Sequence, residues 1–182
     1  MRSTSRITNV ARNTVAKLLE DAGTACMDYQ DEHLVNLPCR RLQCDEIWSF
    51  CYAKEKNVPD EHKAKFGYGD VWVWVAMDAD TKLVPCWTVG ERNTATARAF
   101  MQGLAARLRH RVQLTTDGYN SYLTAVEDAF GMEIDYAMLV KQYGPAEGKT
   151  QTERKYSPGE VNGVKKYRVQ GNPKARDVST SY

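Results

Sequence analysis

Val71-Trp72-Val73-Trp74-Val75-Ala76-Met77 is an unbroken apolar run of β-branched and aromatic residues. Such a run without polar alternation predicts a strand covered on both faces. A strand of that kind needs layers around it, so the rest of the chain has to supply neighbouring strands and helices to cover them.

The flanking sequence supplies both. Leu42, Cys44, Glu46, Trp48 and Phe50 alternate with Gln43, Asp45, Ile47, Ser49 and Cys51, which predicts a first strand. Residues 54–70 are polar, with Pro59, Gly67 and Gly69, and read as a loop. Asp78-Ala79-Asp80-Thr81 predicts a turn into a third strand, Lys82 to Val89. A helix follows, capped by Asn93 or Thr94, with Ala97, Phe100, Met101, Leu104 and Leu108 as its buried stripe. Val112–Thr116 predicts a fourth strand, residues through Tyr122, Val126 and Phe130 a shorter helix, and Ile134 to Val140 a last strand. Three strands followed by alternating helix and strand is the order of a ribonuclease H-like α/β fold, in which the first and fourth strands lie side by side.

The ends read differently. Val15, Leu18, Leu19 and Ala22 have helical spacing, and Gly23 predicts a stop. A second short helix is expected over Ser3 to Val10. With exposed Arg6, Arg12, Asn13 and Lys17 the pair fits part of a helix-turn-helix; a plain amphipathic helix packed on the main domain fits the same pattern. The expected division is a helix-turn-helix part over 1–25, a connector over 26–40, a catalytic core over 41–141 and a loop-rich segment over 142–182. Residues 141–182 hold nine Lys/Arg against four Asp/Glu and are rich in Gly and Pro. They read as a basic tail able to meet phosphates, or as a solvated linker.

Composition removes several classes. The chain carries 25 Lys/Arg and 23 Asp/Glu in 182 residues, so its net charge of +2 is no guide to a partner. No stretch approaches the ~20 apolar residues of a membrane span, and no apolar segment follows the N-terminus as a secretory signal requires. Cys26, Cys39, Cys44, Cys51 and Cys86 are odd in number and scattered, which fits a reducing cytoplasm. His33, His62 and His110 have no metal-ligand spacing with each other or with the thiols.

The chemistry lies in carboxylates. Asp45 interrupts an otherwise apolar strand, where an unpaired charge is costly. Asp117 ends the fourth strand, with Gly118 behind it giving the backbone room. On adjacent strands these two would face each other, and hard oxygen ligands so placed hold Mg²⁺ or Mn²⁺ for phosphoryl transfer. Capping of the next helix is the plainer reading of Asp117. Asp78 and Asp80 suit turn hydrogen bonds. Glu46 points to the opposite face of its strand from Asp45, which makes it a weak third candidate.

Gln43-Cys44-Asp45-Glu46-Ile47-Trp48-Ser49-Phe50, Trp72–Asp78 and Leu114-Thr115-Thr116-Asp117-Gly118-Tyr119 together resemble bacterial insertion-sequence transposases of the DDE class, and within it the insertion-sequence-one-like family. The resemblance implies an Asp, Asp, Glu triad with divalent metal, DNA cleavage at the element's ends and joining of the freed 3′ hydroxyl to target DNA. By motif, Asp45 is the first acid and Asp117 the second. It also implies a helix-turn-helix for the terminal inverted repeats, matched here by Ser3–Thr8 and Ala11–Lys17, and an oligomer, either of this chain or with a full-length transposase.

Two departures shape the expectation. The chain starts within what resembles the DNA-binding region, and stops before the helix that carries the family's catalytic Glu, so it reads as truncated at both ends. Impaired strand transfer follows from that reading. Glu153-Arg154 mimics the missing Glu-Arg pair but lacks an apolar helical stripe around it. A non-catalytic DNA-binding remnant, and a nuclease completing its site with Glu46, Asp78 or Glu153, are the alternative functions.

Overall fold

The computed structural model describes residues 1–144 and 161–180. Its centre is one mixed sheet of β1 (Arg41–Cys51), β2 (Gly69–Asp78), β3 (Cys86–Gly90), β4 (Val112–Thr116), β5 (Ile134–Tyr143) and β6 (Val161–Gln170), in the order β3-β2-β1-β4-β5-β6. β1–β2, β2–β3 and β5–β6 are antiparallel, whereas β1–β4 and β4–β5 are parallel. Helices α3 (Thr94–Arg107) and α4 (Ser121–Phe130) provide the crossovers into β4 and β5. This is a mixed α/β arrangement that fits the ribonuclease H-like fold, with the first and fourth strands adjacent as expected.

The core forms where helices meet one sheet face. Ala97, Phe100, Met101 and Leu104 of α3 and Tyr122, Ala125 and Val126 of α4 cover Cys44, Trp74, Ala76, Leu114 and Tyr136. The helical spacing of the first set and the strand alternation of the second each turn one apolar stripe inward. Asn93 caps α3 by accepting from the Thr96 amide at 2.9 Å. At the far end of the ladder Thr81 Oγ1 donates to Asp78 Oδ2 at 2.6 Å, so Asp78 builds the turn its type suggests.

Several expectations change. The β2 run is covered on one face only: Trp74 and Ala76 are buried, whereas Val71, Val73, Val75 and Met77 on the other face are half-buried. The third strand is Cys86–Gly90, shorter than Lys82–Val89. Helix α2 runs Arg12–His33, straight through Gly23 and into the expected connector. Gly23 has open space around it, and a helical glycine costs only about 1 kcal/mol. The described residues beyond Lys141 are not mostly loop, since β5 continues to Tyr143 and β6 adds an edge strand. The candidate Glu153 lies outside the described residues.

Helix α1 (Arg2–Thr8) and α2 have no buried residue. Val15, Leu18 and Leu19 of α2, with Val10 of the link between the helices, line a shallow groove between the two helices. The C-terminal end of α2 is tied to the core, where Arg107 donates to the carbonyls of Gln30 and Leu34 and pairs with Asp31.

Candidate active site

β1 and β4 pair only over Arg41–Gln43 and Gln113–Thr115. Beyond that point β4 turns away through Asp117 and Gly118 while β1 runs on beside β2. The two strands splay, and a cleft opens between their ends. A side chain on Gly118 would stand 3.0 Å from Val140 Cγ2, so glycine allows the turn to lie against β5.

Three carboxylates meet at the cleft. Oxygens of Asp45, Glu46 and Asp117 all lie within 4.8 Å of one another, the one such acidic or thiol cluster among the described residues. The expected pairing of Asp45 with Asp117 is therefore present in the geometry. Glu46 leaves the opposite face of its strand from Asp45, as expected, yet it joins the cluster. On the β4 side of the splayed end no strand separates the two faces, and the longer Glu46 side chain reaches the cluster.

Each acid is anchored. Asp45 Oδ1 accepts from the Glu46 amide at 2.9 Å, and Asp117 Oδ1 from the Tyr119 amide at 2.9 Å. The second contact is the turn-capping role open to Asp117, and it leaves Oδ2 facing the cluster. The Glu46 side chain is only 2 % exposed; its Oε2 meets Arg92 Nε at 3.0 Å. Arg92 Nη2 stands 3.6 Å from Asp117 Oδ2. The guanidinium lies over the rings of Tyr119, at 4.0 Å, and Trp72, at 5.1 Å, while the Tyr119 hydroxyl donates to the Arg92 carbonyl.

Burial and crowding tune the acids. Burial pushes the Asp45 carboxyl above its usual range, with the charge of Asp117 adding to the push and Lys141 and Arg92 opposing it. Glu46 is raised in the same way, chiefly by burial, and Arg92 opposes the rise. Behind Glu46, its Oε1 and the Tyr122 hydroxyl are buried without a full hydrogen bond, although the hydroxyl is near enough to favour the charged carboxylate. The cleft itself is a cavity of about 460 Å³ whose lining includes Asp45, Asp117, Arg92, Tyr119, Lys141 and Thr180.

The donor set suits a divalent ion of the magnesium type. All donors are oxygens, the choice of hard cations, and Glu46 contributes a buried oxygen, Oε1, that lacks a full hydrogen bond among the described residues. The five cysteines are all free, three of them buried in the core, and none joins a cluster. The N-terminal candidates Arg6, Arg12, Asn13 and Lys17 are exposed on α1 and α2, with Lys17 held by Asp21 at 2.8 Å. They lie outside the acidic cleft. Sequence reasoning missed Arg92; a basic residue directly before the Asn93 cap was the available cue.

A family model described as a DDE domain matches residues 58–173, which takes in Asp117 and Arg92 and begins after Asp45. A search of curated proteins gives no match. Families of this type use divalent metal ions and act on DNA, in keeping with the acidic cluster. By that match, and with this fold, the chain belongs to the DDE-domain family of insertion-sequence transposases.

Proposed function

We propose that this transposase cuts and joins DNA at the Asp45–Asp117 cleft, and that Glu46 serves there as the third carboxylate. The observation that carries the reading is the meeting of three oxygen ligands from two splayed strands, beside a cavity open to solvent. A divalent ion bound there would lower the pKa of an attacking water or 3′ hydroxyl and stabilise the leaving oxygen. The protein's own residues do the rest. Asp45 and Asp117 are held by backbone amides, so their oxygens are fixed before substrate arrives. Arg92 balances charge within the cluster, and Lys141 at the cavity wall offers a cation to a phosphate.

The finer parts belong to the same proposal. The insertion-sequence-one-like assignment rests on the Gln43–Phe50, Trp72–Asp78 and Leu114–Tyr119 blocks. Arg6, Arg12, Asn13 and Lys17 would meet the element's terminal repeats from α1 and α2, in the cytoplasm and within an oligomer. Mg²⁺ or Mn²⁺ is the expected cofactor.

Cleavage of a labelled duplex carrying the element's ends, with Mg²⁺ or Mn²⁺, tests the reading. Asp45→Asn and Asp117→Asn should each lower the rate by at least about 10³-fold, the scale of losing a main electrostatic element of a phosphoryl-transfer site. Glu46→Gln should lower it as well. Full activity in Glu46→Gln would remove Glu46 from the site, and activity unchanged in Asp45→Asn would overturn the proposal. If strand transfer stays weak while cleavage is normal, the expected impairment lies in the joining step.

A further inference from the structure

A row of aromatic rings leads away from the acid cluster along the β1–β2 pair. Trp72 and Trp48 are directly opposite each other in the ladder, and the Trp48 ring lies 5.7 Å from Phe50. These residues share the sheet face that carries α3 and α4, but extend past the helices. Exposure rises accordingly, from buried Trp74 through half-buried Trp72 to Trp48 at 39 % and Phe50 at 45 %. Trp72 and Trp48 each carry a cation: Arg92 lies over Trp72, and Lys54 Nζ stands 4.8 Å from the Trp48 ring. From Glu46 to Phe50 the strand advances about 13 Å, at ~3.3 Å per residue.

The strand tip is braced. His62 stacks on Tyr68 at 4.5 Å, and Tyr68 meets Tyr52 edge-on at 5.0 Å. The nearby acids Glu55 and Asp70 are turned towards each other's backbone amides, at 3.3 and 3.0 Å. Asp70 stands directly opposite Phe50 in the ladder, with its carboxylate engaged by the Glu55 amide.

Exposed rings in a contiguous patch mark an interaction surface. An apolar protein partner would bury the Lys54 ammonium without an acid to compensate it, whereas Arg92 already has Glu46 and Asp117 beside it. Duplex DNA would offer phosphates to the cations but keep its bases stacked inside, away from the rings. A single strand offers both, bases to stack and phosphates to pair. We propose that the Trp72–Trp48–Phe50 row, with Arg92 and Lys54, is a docking surface for a single-stranded stretch of DNA that runs out of the acid cluster. The inference rests on the DNA-processing reading above and adds the strandedness of the partner.

Fluorescence anisotropy of the whole chain in EDTA tests it, with a short labelled oligothymidylate and a duplex of equal length as probes. The single strand should quench tryptophan emission. Trp48→Ala should weaken single-strand binding about tenfold or more and duplex binding less than about twofold, the loss expected for one stacked base. Trp48→Phe should keep most of the affinity, which separates stacking from misfolding, and circular dichroism melts check both variants. Lys54→Ala should lower the single-strand salt slope by about 0.7.

Equal losses on both probes, or none on either, would overturn the inference. So would a dimer that Trp48→Ala dissociates in sedimentation, because the rings would then face a second copy. Duplex binding without single-strand binding sinks this inference and leaves the DNA-processing reading standing. Failure of the wild type to bind either probe sinks both.

Discussion

Replacing Arg92 by Gln removes a guanidinium that touches two acids of the cluster, at 3.0 Å from Glu46 and 3.6 Å from Asp117. At these separations a unit charge pair is worth about 1 kcal/mol in water and about 4 kcal/mol at the effective dielectric typical near a protein surface. Arg92 is 34 % exposed, so solvent takes part of that, but Glu46 at 2 % exposure is left a buried charge with its main partner gone. A loss of about 2–3 kcal/mol follows for the metal-free protein, less than the full cost of orphaning a buried ion because the raised Glu46 carboxyl can take up a proton. For a chain of this length that is a fall in Tm of about 4–12 °C. A divalent ion supplies the same positive charge by another route. Thermal melts of wild type and Arg92→Gln, each in EDTA and in excess MnCl₂, should therefore show a large deficit in EDTA and a much smaller one with Mn²⁺. An equal deficit in both buffers would refute the reasoning and leave Arg92 a packing residue between Tyr119 and Trp72. A larger deficit with Mn²⁺ would mean that Arg92 helps to hold the ion.

The acids also predict a pH dependence. Folding raises the carboxyls of Asp45 and Glu46, so the folded state holds protons that the unfolded chain has lost. Their contribution is full below the ordinary carboxylate range near about pH 4 and fades as pH rises through the raised values. Urea melts in EDTA should show stability falling from mildly acid to neutral pH, and Glu46→Gln should flatten that slope; a steeper slope in the variant contradicts the sign. In the core, Phe100 is fully buried with its ring 6.0 Å from Trp74. Phe100→Ala should cost about 3–5 kcal/mol in urea melts, the range for emptying such a site, and a cost below about 1 kcal/mol would mean that the helices pack loosely on the sheet.

The sheet was legible because its residues obey simple periods. Strand alternation over Leu42–Cys51, the apolar run at Val71–Met77 and the helical stripe of Ala97, Phe100, Met101 and Leu104 all appear where they were expected. The adjacency of β1 and β4 followed from element order, and with it the meeting of Asp45 and Asp117. Glu46 was less legible for a geometric reason. The two-residue period assigns neighbours to opposite faces, but it says nothing about where a ladder ends, and past Gln43 and Thr115 no strand divides the faces on the β4 side.

The edges of the molecule were misread through local signals. Gly23 looked like a helix stop, yet an exposed glycine inside a long helix is a tolerable cost. β6 was hidden by glycines and lysines around Val161, Val164, Tyr167 and Val169. Lysine on a solvent-exposed edge strand is the usual protection against further pairing, so the charge that suggested a loop belongs to the strand. The open face of β2 was beyond reach, because a continuous apolar run cannot tell a covered face from one left half-exposed.

The account stands on the Asp45, Glu46 and Asp117 oxygens being metal ligands. Crystals soaked in MnCl₂ and measured for anomalous scattering address that directly. The account predicts a peak between the Asp45 and Asp117 carboxylates, with Glu46 beside it and Arg92 drawn away from Asp117, and no such peak in Asp45→Asn. A cluster without a peak, with Arg92 still bridging Glu46 and Asp117 at saturating Mn²⁺, would contradict it.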